Sequence, residues 1–504
     1  MEISIDAKAE GRPLAHAWSV CVGGGRVGEA MRADFQKHLE MAQRDMPFKY
    51  LRMHGLFHED MMVYRLEGGK RILNWQYVDL VFDHWLSVGI RPFVELSFMP
   101  YDLASGDQTV FWWKGNVTPP KDPAEWERLV EDFARHVVER YGREETRRWY
   151  YEVWNEPALK YFWKDADFPA YMDLYERSVR ALKRVDPLFR VGGPSSHGFC
   201  DAVGEPPWGR EFLAACAERG LPVDFFSAHP YPTLHPVDPE GRGYMVWDGP
   251  DRLLRDLSGC ESIINASAYP NAERHYTEWS SSPSPRDPVH DTAFMAPFIV
   301  RSNWLARGWF DSLSYWTVSD VFEECRQGDV PFHGGFGLVN LQGLKKPAYH
   351  GYWFLSRLGE EELGGGDSYA VTRRRDGSLA ILLWNYCHYR ADANDSRMLA
   401  EAGPGKIYGL FEDRPTAEFR LRLGGFDRPI RVQATRFDRN RGSSYDAWAA
   451  MGAPAHARPA DLEVLRRRME PEASVSRYGA GAGERTLSES VEPFGVTLLE
   501  IREE

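Results

Sequence analysis

Long apolar runs are missing from this 504-residue chain, and so are the cysteine pairs and basic stretches that mark several large functional classes. No uninterrupted hydrophobic segment approaches the roughly 20 residues that a membrane helix needs, so no membrane partner is expected. The opening stretch, MEISIDAKAEGRPLAHAW, has no basic region followed by an apolar one, so no secretory signal is visible. Cysteine is scarce: six residues, at 21, 200, 216, 260, 325 and 387, with no CxxC spacing. That scatter reads as reduced, mostly buried thiols, and the expected location is cytoplasmic. Positive charge is also short. A formal net charge of −13 leaves no broad basic face for a nucleic acid.

A dinucleotide fingerprint is absent too. VGGGRVGEA, from Val22, is glycine-rich and precedes a helix, yet it lacks a Lys-Ser/Thr ending and an acidic partner after the second strand. It reads as a tight strand-to-helix turn, and no cofactor is expected. His229 and His235 in HPYPTLHP, with Asp224 nearby, sit among prolines in a loop-like run. With no Cys/His spacing for zinc, no metal is expected. YTEWSSSPSPR sets serines beside an acid without the glycine pattern of a nucleophile elbow.

What is present is a core and a rhythm. Hydrophobic residues make up 43% of the chain, enough to exclude global disorder. Aromatic content is 13%, with 18 tryptophans whose faces suit either a large core or the C–H faces of sugar rings. Eight short β-branched or aromatic runs recur in the first 350 residues. They start at His16, Lys49, Ile90, Arg148, Phe189, Asp224, Glu273 and Phe310. Amphipathic segments separate them. In DPAEWERLVEDFARHVVERYG, Trp126, Leu129, Val130, Phe133, Val137 and Val138 form one stripe; Asp122 and Pro123 start it, and Gly142 stops it.

Eight such alternations predict an α/β fold, a (β/α)8 TIM barrel over residues 15–359. After residue 359 the texture changes to alternating strands with Asp-Gly and Gly-Gly turns, which predicts a C-terminal β-sandwich domain over 360–504 joined by residues 1–14. A helical excursion around 446–471 interrupts it and is expected to pack on the barrel or on a neighbouring subunit of a homo-oligomer.

A barrel carries its chemistry at the C-terminal ends of its strands. Those ends read Arg52 and His54, Glu95, Asn155-Glu156, Ser195-Ser196, His229 and Tyr231, Glu278, and Trp316. A carboxylate among tyrosines and tryptophans, as in YYEVWNEP, is either functional or a well-paired structural acid. Glu156 ends the fourth strand and Glu278 the seventh, nearly opposite around the ring. Two facing carboxyl groups are the minimum equipment for cleaving a glycoside: one donates a proton, the other attacks or orients water. Glu152 shares the face of Glu156 by period-two counting but lies deeper, so it reads as structural.

EVWNEP, SAHPYP and YTEWSSSP resemble the strand-end motifs of retaining clan A glycoside hydrolases. PFKYLRMHGLFHEDM, FVELSFMP, TVFWWKGNVTPPKDP and DVFEE with PFHGGFGL resemble, more closely, glycoside hydrolase family 39 and its bacterial β-xylosidases. The resemblance spans nearly the whole barrel and enters the β domain; the helical excursion matches least well. It implies an exo-acting 1,4-β-D-xylosidase that releases xylose from the non-reducing ends of xylo-oligosaccharides with retained configuration. In that pattern Glu156 is the general acid/base and Glu278 the nucleophile. Asn155 bonds the sugar 2-hydroxyl, and His229 and Tyr231 line the subsite and orient the carboxylates. Trp316 forms an apolar platform, Glu323 or Glu324 binds distal hydroxyls, and His54 and Trp113 are further contacts. The alternatives are an exo-glycosidase of another specificity on the same scaffold, such as an α-L-arabinosidase or an iduronidase-like enzyme, or a non-catalytic carbohydrate-binding protein.

Overall fold

Strand alternation sends every second side chain inward, and in this molecule that rule builds the barrel interior layer by layer. The computed structural model describes residues 1–197, 208–322, 324–479 and 485–504. Strands β1 (Cys21–Arg26), β2 (Tyr50–His54), β3 (Arg91–Leu96), β4 (Tyr150–Val153), β5 (Arg190–Ser196), β6 (Phe225–Ala228), β7 (Glu273–Trp279) and β8 (Ser312–Tyr315) close into one parallel barrel in chain order. Each is followed by its own helix: α1 (Ala33–Asp45), α2 (Gln76–Ser87), α3 (Pro123–Tyr141), α4 (Phe168–Val185), α5 (Gly209–Glu218), α6 (Arg252–Asn265), α7 (Met295–Ala306) and α8 (Pro347–Ser356).

The floor of the barrel is an aromatic plug. Phe93 stacks on Tyr150 at 4.8 Å, and Tyr50, Phe225 and His275 meet Tyr150 at 5.0, 5.4 and 4.4 Å between ring centres. Two residues further along each strand, the same inward positions hold Arg52, Glu95, Glu152, Ser227 and Thr277, all buried. A polar ring therefore lies on an apolar floor. Water is kept off it from below, and the next layer up is the rim.

Helix limits follow local chemistry. Asp122 Oδ1 accepts from the Ala124 and Glu125 amides at 3.0 and 3.3 Å, and Gly142 leaves α3 with φ +84°. The buried stripe is Trp126, Leu129, Val130, Phe133, Ala134 and Val137, on the face that the 3.6-residue period predicts. The first run departs from expectation: its strand begins at Cys21, because Ala17–Ser19 forms a 3-10 turn that buries Trp18 against His16.

The glycines after Val22 have two jobs. Gly25 has φ +79°, as a tight turn requires. Gly23 has none of that strain, but a Cβ there would lie 2.2 Å from Trp316, so its lack of side chain lets the indole lie on β1.

Beyond the barrel, a seven-stranded antiparallel sheet runs from Arg12–Pro13 through Glu361–Gly366, Tyr369–Arg373, Leu379–Trp384, Val496–Glu503 and Ile430–Phe437 to Glu472–Tyr478. A three-stranded sheet packs on it, in which Glu2–Asp6 pairs in parallel with Ala417–Gly424 beside Arg485–Val491. Ile3, Ile5, Ile381, Leu383, Leu421, Leu423, Ile430 and Ile501 fill the space between the sheets. The helical excursion forms two helices, Ser444–Ala450 and Pro459–Arg468, and packs on the barrel's own last loop: Trp448 meets Phe332 at 5.3 Å, and Ser444 Oγ donates to the Lys345 carbonyl at 2.7 Å. Among the described residues, no helix is long and apolar enough to cross a membrane, and no disulfide joins the cysteines.

Candidate active site

Arg52 organises the polar ring. Its guanidinium is fully buried and reaches Glu152 at 2.8 Å, Glu95 at 2.8 Å and Glu278 at 2.6 Å, with Asn155 Oδ1 at 2.9 Å and Ser195 Oγ at 3.0 Å. Burial alone would disfavour its charge, but Glu152, Glu95 and Glu278 outweigh burial, and its pKa lies above the ordinary value. Glu95 is held below the usual carboxylate range: burial pushes it up, and Arg52, His54 and the Ser97 hydroxyl more than reverse that. Glu152 accepts from Arg52 and from Thr277 Oγ at 2.8 Å, deep in the ring, and is structural in this geometry.

Regular strands could not bring the rim residues together. Neighbouring residues on a strand point to opposite faces, yet Thr277 bonds Glu152 and Glu278 bonds Arg52, both inside the barrel. The reason is a register shift between Tyr276 and Trp279 where β7 pairs with β8. A second shift lies between Pro194 and Ser196, where Ser195 takes φ +54°. A third break ends β4 at Val153: Trp154 and Glu156 have φ +72° and +43°, so Glu156 is placed by a bend and not by strand parity. Its amide donates to the Ser195 carbonyl at 3.0 Å, which fixes the bend.

The two rim carboxylates meet. One oxygen of Glu156 and one of Glu278 lie within 4.8 Å of each other, with His229 Nδ1 inside the same limit. Their surroundings differ. Glu278 takes Arg52 on Oε1 at 2.6 Å and the Tyr231 hydroxyl on Oε2 at 3.0 Å. Among the described residues Glu156 has one side-chain partner, His229 Nδ1 at 2.7 Å. Burial raises the pKa of both; for Glu156 the charge of Glu278 adds to it and carries it well above the ordinary value, whereas Arg52, His54 and Tyr231 pull Glu278 back down. One proton shared by the pair therefore resides on Glu156, with Glu278 ionised. Burial and Arg52 hold His229 neutral, with its pKa well below 6.5. His229 Nδ1 stands 3.6 Å from Glu278 and bonds Glu156, so of the two carboxylates it orients Glu156.

These groups open into a cavity of about 630 Å³ lined by His54, Asn155, Glu156, His229, Tyr231, Glu278, Trp316 and Glu324. Trp316 lies beside His54 at 4.8 Å and is braced by Phe322, itself edge-on to Phe336. The loop that holds Phe336 is pinned by the buried Lys346, whose Nζ lies 3.2 Å from Asp320 and 2.6 Å from the Gly335 carbonyl. Glu324 faces His54 at 3.7 Å, and burial together with Glu278 raises its pKa well above the ordinary value.

Two expected contacts fare differently. Trp113 is displaced from the cavity wall: Phe111 stacks over it at 5.2 Å and takes its place, because the short hairpin Thr109–Val110/Gly115–Asn116 turns Phe111 inward with φ +63°. Glu323 lies outside the described residues. Sequence reading missed Phe111, Tyr161, Phe162, Arg252 and Asp256, which also line the cavity. Arg252 and Asp256 look like an ordinary helical i, i+4 ion pair, and no periodic signal marks the aromatic ones. A larger open groove of about 900 Å³ between α1 and the helix Pro459–Arg468 lies away from all of these acids.

Glu156, His229 and Glu278 offer three donors at metal-ligand spacing. The Arg52 guanidinium, 2.6 Å from Glu278, already supplies the cationic partner there, and a divalent ion would face it at close range.

A closed parallel barrel whose mouth holds two acids this close, one protonated and one charged, is the equipment of a retaining glycoside hydrolase, since inverting enzymes hold their carboxyls about 6.5–9.5 Å apart to admit a water. The chain belongs to glycosyl hydrolases family 39, whose family model matches residues 1–486. It is 39% identical to a β-xylosidase of Geobacillus stearothermophilus over 96% of this chain and 92% of that protein. Among solved structures, it superposes with a TM-score of 0.90 on the GH39 enzyme of Xanthomonas axonopodis pv. citri, at 34% identity over 100% of this chain and 97% of the other. A monomeric β-xylosidase of Caulobacter crescentus CB15 gives a TM-score of 0.89 at 32% identity, with 100% and 99% covered.

Proposed function

We propose that the protein is an exo-acting β-xylosidase that releases xylose from the non-reducing ends of short xylo-oligosaccharides by double displacement. The observation that carries the mechanism is the approach of Glu156 and Glu278 to within 4.8 Å. At that spacing no water fits between the acids and the sugar, so the charged acid attacks the anomeric carbon itself. Glu278, with Arg52 and Tyr231 on its oxygens, is the nucleophile; Glu156, protonated, gives its proton to the leaving oxygen and then takes one from the incoming water. Asn155 spends its Oδ1 on Arg52, which leaves its amide hydrogens to bond a sugar hydroxyl. Trp316 supplies the platform under the ring. His54 and Glu324 are proposed as hydroxyl partners.

The xylosidase relatives support a neutral pentose as substrate, and so does the charge of the cavity. Glu156, Glu278, Glu324 and Asp256 line it, while its Arg252 is bound to Asp256 at 2.8 Å and to Asp248 at 3.3 Å. A uronic carboxylate would find no uncommitted cation among these, which disfavours an iduronidase-like reading. A panel of aryl β-xyloside, α-L-arabinoside, β-glucoside and uronide substrates tests the assignment, with NMR of the first-formed anomer. The β-xyloside is expected to be cleaved fastest, with β-xylose as the initial product. A preferred uronide, or initial α-xylose, refutes it.

A further inference from the structure

A hydrogen-bonded chain runs between the two carboxylates through Arg52, Ser195 and His229. Arg52 Nη2 donates to Ser195 Oγ at 3.0 Å; Ser195 Oγ lies 3.0 Å from His229 Nε2; His229 Nδ1 lies 2.7 Å from Glu156 Oε1. Ser195 is fully buried, and its backbone is bulged and left-handed, which turns the hydroxyl into this position.

A guanidinium can only donate, so the Ser195 oxygen accepts from Arg52 and its own hydrogen is free for His229 Nε2. The other neighbour of Nε2 is Thr277 Oγ1 at 3.2 Å, which gives its hydrogen to Glu152 and so presents a lone pair. The two hydroxyls thus favour opposite tautomers of the imidazole. With Ser195 donating, Nε2 is bare and Nδ1–H points at Glu156. With Thr277 accepting, Nε2 carries the hydrogen and Nδ1 becomes an acceptor that draws the proton of Glu156 toward itself.

We propose that Ser195 is a positioning residue that selects the Nδ1–H tautomer of His229, so that the proton of Glu156 sits on Oε2 and is available to the leaving group. Among the described residues Oε2 has no hydrogen-bond partner, whereas Oε1 is held by His229. The assignment rests on the reading of Glu156 as the acid. Its distance advantage over Thr277 is 3.0 against 3.2 Å, and its connection to Arg52 ties the orientation of the acid to the residue that holds the nucleophile.

Other charged or titratable groups face the Glu156–His229 pair: Arg52 and His54 from β2, Glu95 from β3, His197 after β5, Tyr231 after β6, Glu278 from β7 and Glu324 after β8. Removing one hydroxyl changes none of their charges. The test uses Ser195→Ala and Ser195→Gly; both delete the hydroxyl, and glycine also accepts φ +54° without strain, which keeps the test alive should the alanine variant fold poorly. Loss of the Nδ1–H donor makes the Glu156 carboxylate harder to form, so the alkaline limb of kcat/KM is expected to move up by about one pH unit. Xylobiose, which needs the proton, is expected to lose at least about tenfold in kcat/KM more than a 2,4-dinitrophenyl xyloside, which does not.

Selective 15N-histidine NMR without substrate reads the tautomer directly, with the His229 signal identified by its loss in His229→Asn. The wild type is expected to show protonated Nδ1, and both variants protonated Nε2. An unchanged tautomer, or an unmoved alkaline limb, overturns the proposal. Should the wild type cleave no β-xyloside, the functional reading fails, and the tautomer comparison still decides the role of Ser195.

Discussion

Replacing Glu278 with glutamine tests the electrostatic heart of the site. The substitution keeps the shape and leaves an amide oxygen for Arg52 or Tyr231, but it deletes the charge that helps keep Glu156 protonated. Two unit charges within 4.8 Å interact by about 3.5 kcal/mol at an effective dielectric of about 20, equivalent to about 2.5 pKa units. Arg52 already offsets part of the charge of Glu278, so a fall of about 1–2 units in the Glu156 pKa is expected. In the proposed mechanism the same loss of charge accompanies formation of the Glu278 ester to the sugar, and it would convert Glu156 from acid to base at the moment the reaction needs a base. A 13C titration of glutamate side-chain carboxyls, with the Glu156 resonance identified in Glu156→Gln, measures the shift. A change below about half a unit, or an upward change, refutes the coupling.

Azide separates the two acids: with an activated aryl xyloside, Glu156→Ala is expected to be rescued and to form β-xylosyl azide, whereas rescue of Glu278→Ala would give the α-azide. The reverse pattern swaps their roles. Tyr231→Phe removes the donor from Glu278 Oε2, which makes the carboxylate harder to form; the acid limb of kcat/KM should move up by about half to one pH unit with the alkaline limb unchanged. Arg52→Lys keeps the charge but brings three donors to five buried partners, and the groups left unsatisfied are expected to cost about 3 kcal/mol, read as a lower urea midpoint as well as lost activity. Activity should be bell-shaped in pH, falling below the pKa of Glu278 and above that of Glu156.

Most of the barrel is legible in the chain because its signals are local. Period-two runs, the Asp122 cap and the Gly142 stop each act within a few residues, and the eight strands and α3 follow from them. Glu156 and Glu278 are legible as strand-end acids, yet their inward aim is not, since it depends on a register shift in β7 and a left-handed bend after β4. Arg52 appears in sequence as one polar strand residue; only closure of the ring reveals its five partners. The exchange of Trp113 for Phe111 turns on one hairpin in a loop. The role of Ser195 depends on a bulge and on two hydroxyls distant in sequence competing for one nitrogen. Long-range pairing and backbone irregularity, not composition, set what was hidden.

The most direct test is to trap the covalent step. A 2-deoxy-2-fluoro-xylosyl fluoride should inactivate the enzyme with one sugar bound per chain, and peptide mass spectrometry should place the label on Glu278. A label on Glu156 or elsewhere, or turnover with inversion and no adduct, would contradict the account.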